Sequence, residues 1–397
     1  RTRPRAEDLG VVRPVPVVRS VARVTAPKIA IVSRQVSGVT GTTTTILEHS
    51  RRFKKLGWQV HVYGEDIEVD RIKTYGAIAH PLLRPPKWLL GSYAKRRLFN
   101  WLFERALRAE KYDLVCGHGD TRAQDVLSLH NCVHAAYEAV NGRPLPENSS
   151  VGRFHAQILE EKKFRTLVAN SQLMKDEVVR RFGIAEEKIT VIYPGHDPER
   201  FRASDRAELG NPARRELGLG ENDILVGLIT SGDFVKRGVG IFLEALGRLS
   251  PEAKKKIHIL IIGRESRLAS YRSKAGETGL GEKIRFLAPS PRVERYYHAL
   301  DIYVHPALYE EFGQSVQEAM ACGVPVLTSD RVGAAELFKG KTRELLLEKP
   351  DAEVLAERLE RLIGDASLRR HYAQEGILAV QANTWEDNFK ATLACYQ

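Results

Sequence analysis

The segment Glu310-Glu-Phe-Gly-Gln-Ser-Val-Gln-Glu318, which continues as Ala319-Met-Ala-Cys-Gly-Val-Pro-Val-Leu-Thr328, predicts a loop, a helix and a strand in succession. The apolar run Ile302-Tyr-Val-His305 shortly before it predicts another strand. A strand followed by a helix and a second strand is the unit from which parallel sheets are built. The segment therefore predicts an α/β fold with a parallel sheet.

The same alternation extends in both directions from this segment. Short apolar or alternating runs predict further strands at residues 28–33, 58–63, 112–116, 166–170, 223–230, 257–263 and 284–287. Apolar residues at helical spacing predict helices at residues 42–56, 352–364 and 385–396. A charged, turn-rich stretch at residues 196–222 interrupts the pattern, which then restarts. The sequence therefore predicts two doubly wound, Rossmann-like α/β domains that face each other across a cleft.

The composition is that of a globular protein with surplus positive charge. The chain has 397 residues, 43% of them hydrophobic, and 61 Lys and Arg against 50 Asp and Glu give a net charge of +11. The sequence contains no apolar run of about 18 residues, so no membrane-spanning helix is expected. The charge favours anionic partners, which are nucleotide phosphates, nucleic acid or an anionic membrane surface.

The cysteines and the N-terminal residues bear on the compartment. Cys116, Cys132, Cys322 and Cys395 are scattered and form no CxxC pair, which is typical of a reducing cytosol. Arginines interrupt every hydrophobic run before Lys28, so no signal core is recognised. We therefore expect a cytoplasmic protein.

Glu310, Gly313 and Glu318 form a pattern suited to a phosphorylated ligand. A glycine directly before a helix lets the free N–H groups of Gln314 and Ser315 approach a phosphate at the positive end of the helix. Carboxylates on either side could accept hydrogen bonds from sugar and ribose hydroxyls. The alternative is that both glutamates are solvated on a surface helix.

At this point the sequence resembles a known family. Residues 310–328 are similar to the glutamate-spaced signature of the family 4 glycosyltransferases, retaining enzymes of the GT-B fold, with Glu310 and Glu318 at the two motif positions. The resemblance covers nearly the whole chain from Lys28. It includes residues 168–171, residues 189–195 with Asp197 and Phe201, residues 232–238 and residues 385–396.

The resemblance implies roles for the two glutamates and for a basic loop. Glu310 would contact hydroxyls of the transferred sugar, and Glu318 would contact the nucleotide ribose. Lys236 and Arg237 would stabilise the leaving pyrophosphate, although a basic pair can also be plain surface charge. Many family members have an arginine after the glycine that opens this loop, whereas here Asp233 follows Gly232. This form resembles the lipopolysaccharide-core glucosyltransferase subgroup, which favours a hexose donor.

In the first domain, two features resemble family positions at the cleft. Residues 36–41, with Gly38 and Gly41, are similar to a glycine loop that approaches the donor, and a simple turn is an equal explanation. His118 falls near a position where family members place a cleft histidine, and a surface-loop histidine is its alternative. Asp120 and Asp125 are further candidates.

The resemblance thus gives a set of candidate site residues. The candidates for catalysis are His118, Glu310, Lys236 and Arg237. Donor binding is expected from Gly41, Gly232, Asp233, Lys236, Arg237, Arg264, Glu310, Phe312, Gly313, Gln314, Ser315 and Glu318.

No metal or other cofactor is expected. His130, Cys132 and His134 are close together, but their spacing suits a metal only on a strand and no fourth ligand is evident. The family generally replaces a metal by a helix dipole and basic side chains. No carboxylate pair of the kind used in retaining glycosidases stands out, and the resemblance implies front-face substitution.

The expected function is transfer of a hexose from a UDP-sugar, or alternatively a GDP-sugar, to a glycan or glycolipid hydroxyl in synthesis of cell-envelope polysaccharide or lipopolysaccharide. One alternative is a transferase with a soluble acceptor of the glycogen or sucrose type. Another is a basic nucleic-acid-binding protein, which is not favoured because the basic residues are dispersed and form no recognised motif.

Residues 85–108 mix aromatic and basic residues with one acid, Glu104. This composition suits an interfacial helix on an anionic membrane, which would place the protein peripherally on the inner face of the plasma membrane. The alternative is a domain helix whose aromatic residues pack on the sheet while its cations face water.

The predicted organisation has four parts. Residues 1–27 form a flexible basic extension, and residues 28–205 form the acceptor-side domain. Residues 206–375 form the nucleotide-sugar domain, and residues 376–397 form a helix that crosses back to the first domain.

Overall fold

The computed structural model of the chain describes residues 26–86 and 88–396. Residues 1–25 of the predicted basic extension, Lys87 of the predicted interfacial segment and Gln397 lie outside the described residues.

The first domain is built on a parallel sheet. The strands of this half are β1 (Lys28–Val32), β2 (Gln35–Val36), β3 (Gln59–Gly64), β4 (Asp66–Ile67), β5 (Ile78–Pro81), β6 (Leu114–Gly117), β7 (Val126–Leu129), β8 (Thr166–Ala169) and β9 (Ile189–Val191). Seven of them form a sheet in the order β5-β3-β1-β6-β7-β8-β9, and β2 pairs with β4 separately. The order reverses direction at β1, which is where ligands bind in open parallel sheets.

The helices of the first domain cover both faces of this sheet. They are α1 (Gly41–Lys55), α2 (Val69–Thr74), α3 (Ser92–Ala109), α4 (Val133–Asn141), α5 (Ser150–Glu161) and α6 (Gln172–Phe182). Ile29 and Ile31 of β1 pack in one buried cluster and Ala30 and Val32 in another, because successive strand residues point to opposite faces. A continuous apolar strand is thus buried on both faces, as parallel sheets require.

The second domain repeats the architecture. Its strands are β10 (Ile224–Gly232), β11 (Ile257–Arg264), β12 (Ile284–Leu287), β13 (Ile302–His305), β14 (Val326–Ser329) and β15 (Leu346–Leu347). They form one parallel sheet in the order β12-β11-β10-β13-β14-β15. The remaining helices are α7 (Asn211–Glu216), α8 (Val239–Arg248), α9 (Pro251–Lys256), α10 (Leu268–Gly276), α11 (Glu294–Ala299), α12 (Gln314–Ala321), α13 (Ala352–Gly364), α14 (Ala366–Val380) and α15 (Trp385–Tyr396).

The chain crosses between the domains twice, at adjacent positions. The N–H of His196 donates to the carbonyl of Asn383 at 3.1 Å, and the N–H of Trp385 donates to the carbonyl of His196 at 3.1 Å. Beyond this point α15 packs on the first domain, where Phe389 meets Phe53 edge to face with ring centroids 4.9 Å apart. The C-terminal helix therefore belongs to the core of the first domain.

The prediction of two doubly wound α/β domains is confirmed. The structure also contains strands β2, β4, β5, β7, β9 and β15, which were not predicted from the sequence, and it places α7 inside the stretch described as turn-rich. Helix α14 runs through the predicted limit at residues 375 and 376, so the crossing element is α15 alone. The limits of the domains stay predictions.

The aromatic residues of α3 and of the segment before it are partly buried and partly exposed. Phe99 and Phe103 are buried against the sheet, whereas Trp88 is 83% exposed and Trp101 is 52% exposed. Arg96 is turned inward, and its guanidinium lies 3.2 Å from the carboxylate of Asp120. No helix among the described residues is both long and apolar enough to cross a membrane.

The packing of α15 predicts that Phe389 stabilises the protein. Replacing Phe389 with Ala should lower the free energy of unfolding by about 3 kcal/mol, because a large buried ring leaves a cavity. Denaturant titration followed by circular dichroism measures this change. Leu378→Ala on α14 is the control, since Leu378 is 64% exposed and its loss should change stability little. A similar small effect of both substitutions would contradict the assignment of α15 to the core.

Candidate active site

The candidate site lies at the carboxyl ends of the central strands of the second sheet. β10 leads into the loop at residues 233–238 and β13 leads into the loop at residues 306–313, after which α8 and α12 begin. The N–H of Leu308 donates to the carbonyl of Lys236 at 2.9 Å and joins the two loops. Ligands bind at this edge of open α/β sheets because the loops meet helix N-termini there.

Glu310 lies among basic side chains in the second of these loops. Nε2 of His305 is 2.8 Å from its carboxylate, and Arg237 forms an ion pair with the same oxygen. Burial by itself raises the pKa of Glu310, but the positive charge of Arg237, the hydrogen bond with His305 and the charge of Lys236 outweigh it and lower the pKa to about 2. The carboxylate is therefore ionised and able to accept hydrogen bonds from hydroxyl groups.

Glu318 lies one turn into α12 and has a different environment. The hydroxyl of Tyr297 donates to its carboxylate at 2.9 Å. Burial raises the pKa of Glu318, and the hydrogen bond from Tyr297 and the charge of Arg200 only partly oppose this. Tyr297, itself buried on α11, fixes the orientation of the carboxylate.

Lys236 and Arg237 take different carboxylates as partners. Arg237 pairs with Glu310, and its Nε donates to Oγ1 of Thr230 at 3.3 Å. Lys236 pairs with Glu311, whose Oε2 lies 2.8 Å from Nζ. Adjacent residues in the loop thus neutralise adjacent glutamates.

Gly313 directly precedes α12, and a residue with a side chain would not fit at this position. Its φ of +92° is left-handed, and a Cβ at this position would lie 2.8 Å from a methyl carbon of Val332. No described residue supplies a side-chain cap to α12, so the first-turn amides of Gln314 and Ser315 are left for a ligand.

The two domains come close together where α1 and α12 begin. A Cβ added to Gly41 would lie only 3.1 Å from Oε1 of Gln314. Two helix N-termini from different domains therefore converge at the cleft, and their dipoles together favour an anion there. Gly41 fits this position because it has no side chain.

The loop that follows β10 is shaped by its own polar groups. Asp233 has a φ of +58°, and its carboxylate accepts the N–H of Lys236 at 3.1 Å. A Cβ at Gly232 would lie 2.8 Å from the carbonyl of Arg264, which brings the ends of β10 and β11 together. Arg264 itself is exposed at the end of β11. Asp233 thus serves to build the turn that presents Lys236 and Arg237.

Phe312 and the hydroxyl of Ser315, which were also predicted to contact the donor, contact other residues of the protein in this structure. Phe312 is 2% exposed and packs against Tyr193 with ring centroids 5.9 Å apart. The hydroxyl of Ser315 hydrogen-bonds the buried Tyr303.

His118 contacts another histidine of the first domain. It is 6% exposed, and its Nδ1 lies 2.8 Å from Nε2 of His130. Burial and then the neighbouring histidines, His130 and His49, hold its pKa well below the usual value, so the ring is neutral.

The acidic candidates nearby have structural partners. Asp120 accepts the N–H of Arg34 at 3.1 Å and pairs with Arg96, whereas Asp125 accepts the N–H of Val115 at 2.7 Å.

Three residues that the sequence analysis did not single out complete the site. His305 contacts Glu310, Tyr297 contacts Glu318, and Glu311 contacts Lys236. The position of His305 at the end of a predicted strand was a usable signal, because carboxyl ends of parallel strands meet at one edge. Neither Tyr297 nor Glu311 has a comparable signal in the sequence. The role of Tyr297 depends on how helices pack, and the role of Glu311 depends on which of two adjacent glutamates turns inward.

The residues considered for a metal are separated in the structure. His130 contacts His118, whereas the N–H of Cys132 donates to Glu311 and the ring of His134 packs against Phe182. In the described part of the chain, no group of three or more His, Cys, Asp or Glu could hold a metal ion.

Two family models match the chain, one in each half. The model described as "Glycosyltransferase Family 4" matches residues 39–200, and the model described as "Glycosyl transferases group 1" matches residues 213–378. Together these matches span more than half of the chain. The chain belongs to the family 4 glycosyltransferases, as its glutamate motif predicted.

Two curated relatives share one name. The D-inositol 3-phosphate glycosyltransferase of Nocardia farcinica is 28% identical over 260 residues, which cover 64% of this chain and 56% of the relative. The protein of the same name from Thermobifida fusca is 26% identical over 242 residues, covering 58% and 54%. The chain thus spans somewhat more than half the length of the curated relatives it matches.

Solved structures show the same fold. WaaG, a glycosyltransferase involved in lipopolysaccharide biosynthesis, superposes with a TM-score of 0.79 at 18% identity, covering 93% of this chain and 99% of WaaG. The sucrose-phosphate synthase of Thermosynechococcus elongatus gives 0.76 at 20% identity, covering 93% and 98%. HepE of Anabaena, in complex with UDP and glucose, gives 0.74 at 17% identity, covering 93% and 99%. The fold of this chain is GT-B.

The environment of Glu310 predicts a pH-dependent contribution to stability. Its pKa falls from an ordinary 4.5 to about 2, so the stabilisation is fully present above pH ~4.5 and is lost as the pH falls toward ~2. Glu310→Gln should therefore melt at a lower temperature than wild type at neutral pH, with a difference that shrinks as the pH falls through this window.

Scanning calorimetry across a pH series measures the difference in melting temperature. Glu244→Gln is the control, because Glu244 forms an exposed helical ion pair with Arg248 and contributes little. A difference between wild type and Glu310→Gln that is independent of pH would contradict the interpretation.

Proposed function

We propose that the protein is a retaining glycosyltransferase that moves a hexose from a nucleotide diphosphate sugar to a hydroxyl of a glycan or glycolipid acceptor. The observation that carries the proposal is that the N-termini of α1 and α12 converge at the cleft, next to Glu310, Glu318 and two cations. This arrangement suits a ligand with an anionic centre and hydroxyl groups on both sides of it.

Each donor group has a matching protein group. The carboxylate of Glu310 accepts hydrogen bonds from the sugar, and that of Glu318 accepts them from the ribose. The amides at the start of α12 together with Lys236 and Arg237 bind the diphosphate. Arg237 also holds Glu310, so it links the leaving group to the sugar-binding carboxylate.

The proposed chemistry is front-face substitution. The acceptor oxygen forms a bond to the anomeric carbon on the face from which the diphosphate departs, and the bond from that carbon to the phosphate oxygen breaks. The proton of the acceptor hydroxyl goes to a phosphate oxygen. Negative charge grows on the diphosphate, where fixed cations and helix dipoles stabilise it without a catalytic metal ion.

A UDP-sugar is the favoured donor, with a GDP-sugar as the alternative. HepE, which shares the fold, has been solved with UDP and UDP-glucose. In this chain Arg264 is exposed at the end of β11, beside the turn that presents the cations, and is a candidate for contact with the base.

The acceptor has two candidate classes. WaaG supports an acceptor of the cell envelope, such as a lipopolysaccharide core. The names of the curated relatives and of the sucrose-phosphate synthase support a small, soluble and phosphorylated acceptor instead. Product formation in the absence of lipid separates the two classes.

The outer face of α3 supports a peripheral membrane position. Arg97, Trp101, Arg105 and Arg108 follow one another at helical spacing and are all exposed. The guanidinium of Arg105 lies 5.8 Å from the ring centroid of Trp101. Trp88 and Leu89, just before α3, extend the exposed apolar surface. Cations around aromatic rings are typical of contacts with anionic lipid headgroups.

The assignment of the two glutamates predicts a separation of binding from turnover. Glu318→Ala should weaken nucleotide binding by about tenfold, whereas Glu310→Ala should not weaken nucleotide binding and should lower kcat by about a hundredfold. A thermal-shift panel of UDP, GDP and ADP selects the base, and calorimetry then gives the Kd. Glu357→Ala on the exposed face of α13 is the control and should change neither quantity. Unchanged nucleotide affinity in Glu318→Ala would overturn the ribose assignment.

The α3 surface predicts lipid binding. Changing Arg97, Arg105 and Arg108 together to Glu should reduce flotation with phosphatidylglycerol vesicles by about tenfold or more, because basic residues supply much of the attraction to anionic lipid. Arg96 is left unchanged because it pairs with Asp120.

The matched control reverses three exposed cations of the second domain, Arg215, Lys341 and Lys349. This control alters the net charge equally but leaves α3 intact. An equal loss in both triple variants would show that only net charge matters and would contradict docking through α3.

A further inference from the structure

Glu311 is a third glutamate at the site and contacts both domains. It is 5% exposed, and its Oε2 lies 2.8 Å from Nζ of Lys236 in the second domain. Its Oε1 accepts the N–H of Cys132 in the first domain at 3.1 Å. Its backbone carbonyl also accepts the hydroxyl of Ser171 at 2.5 Å. One residue therefore joins a cation of the proposed donor site to the facing domain.

The contact with Cys132 caps a helix of the other domain. Cys132 is the N-cap of α4, and the carboxylate of Glu311 accepts its N–H, one of the N–H groups at the start of the helix that have no acceptor within the helix. A carboxylate is stabilising at a helix N-terminus, but here its charge is shared with Lys236. Tyr309 packs with Cys132 and Ala135 beside this contact and keeps it buried.

Lys236 cannot bind the donor diphosphate fully while it is paired with Glu311. Both side chains are largely buried, at 13% and 7% exposure. Within such a pair each charge is compensated by the other, so a third charged group must compete with the existing partner. A diphosphate carries more negative charge than a carboxylate and is the stronger competitor for an ammonium group.

We infer that Glu311 is a positioning residue that competes with the donor diphosphate for Lys236 and, when Lys236 turns to the diphosphate, holds the N-terminus of α4 in the first domain. The inference rests on the proposed function, because it requires that the ligand is a diphosphate. Donor binding leaves the full charge of Glu311 facing α4, and the contact between the domains becomes stronger. Occupancy of the donor site and approach of the two domains are thus coupled through one carboxylate.

A second contact between the domains provides a matched control. The carboxylate of Glu336 in the second domain accepts the N–H groups of Gln172 and Leu173, both at 2.8 Å, at the start of α6 in the first domain. Glu336 and Glu311 therefore play similar parts in the domain contact. Only Glu311 also pairs with Lys236. A comparison of variants at Glu311 and Glu336 therefore distinguishes competition for Lys236 from a general weakening of the contact between the domains.

The test is calorimetric binding of the nucleoside diphosphate selected by the panel to purified full-length protein. Glu311→Gln keeps an acceptor for Cys132 but removes the charge, so diphosphate affinity should increase by about tenfold. The KM for the nucleotide sugar should fall while kcat does not rise, because the product diphosphate also leaves more slowly. Glu336→Gln should leave diphosphate affinity unchanged. In a Lys236→Met background, Glu311→Gln should lose its effect.

Each outcome decides a separate point. Wild-type protein that binds none of the nucleoside diphosphates would overturn the proposed function and the inference with it. Diphosphate binding by wild type with no gain in Glu311→Gln, or an equal gain in Glu336→Gln, would overturn the inference alone. Glu311→Ala also loses the acceptor for Cys132 and should show a smaller gain in the same direction, so the test does not depend on the folding of one substitution.

Discussion

The charge balance among Glu310, Glu311, Lys236 and Arg237 is the interaction on which the site depends. Two carboxylates and two cations lie in a largely buried space, and each ion pair compensates charges that would be costly to bury alone. The balance also fixes the protonation of Glu310, because a carboxylate with a pKa of about 2 stays ionised next to Arg237. An anionic ligand entering this space must exchange partners with existing pairs rather than meet free cations.

Most strands and helices of the fold could be predicted from local sequence patterns, for a physical reason. Strands such as β10 and β11 are buried on both faces, so they are continuous apolar runs that stand out from the surrounding sequence. β9 lies at the sheet edge and has three residues, too few to form a recognisable pattern. Helix α14 was missed because polar residues such as Arg369, Arg370 and Gln374 interrupt any simple apolar spacing.

Residues of the candidate site could be predicted from the sequence only where residues with a defined function lie at a fixed spacing along the chain. Glu310, Gly313 and Glu318 satisfy this condition, because a loop and one turn of helix determine their relative positions. The partners of these residues come from distant elements, such as Tyr297 from α11 and His305 from β13. Which of Glu310 and Glu311 faces Arg237 depends on the path of the loop after β13, so the resemblance to the family motif, and not the local pattern, distinguishes the two residues.

The contacts between the domains are of a kind that can open and close. Each domain has its own apolar core, and the described contacts near the cleft are mainly hydrogen bonds to helix N-termini, with one small apolar cluster around Tyr309. Water can replace such hydrogen bonds at small net cost, whereas separating a large apolar interface would be expensive. A reactive sugar donor needs a site that excludes water during transfer and then releases a diphosphate. Carboxylates that join the domains at helix ends meet both needs. The strength of the contact between the domains then depends on the charged group that is bound beside the carboxylate.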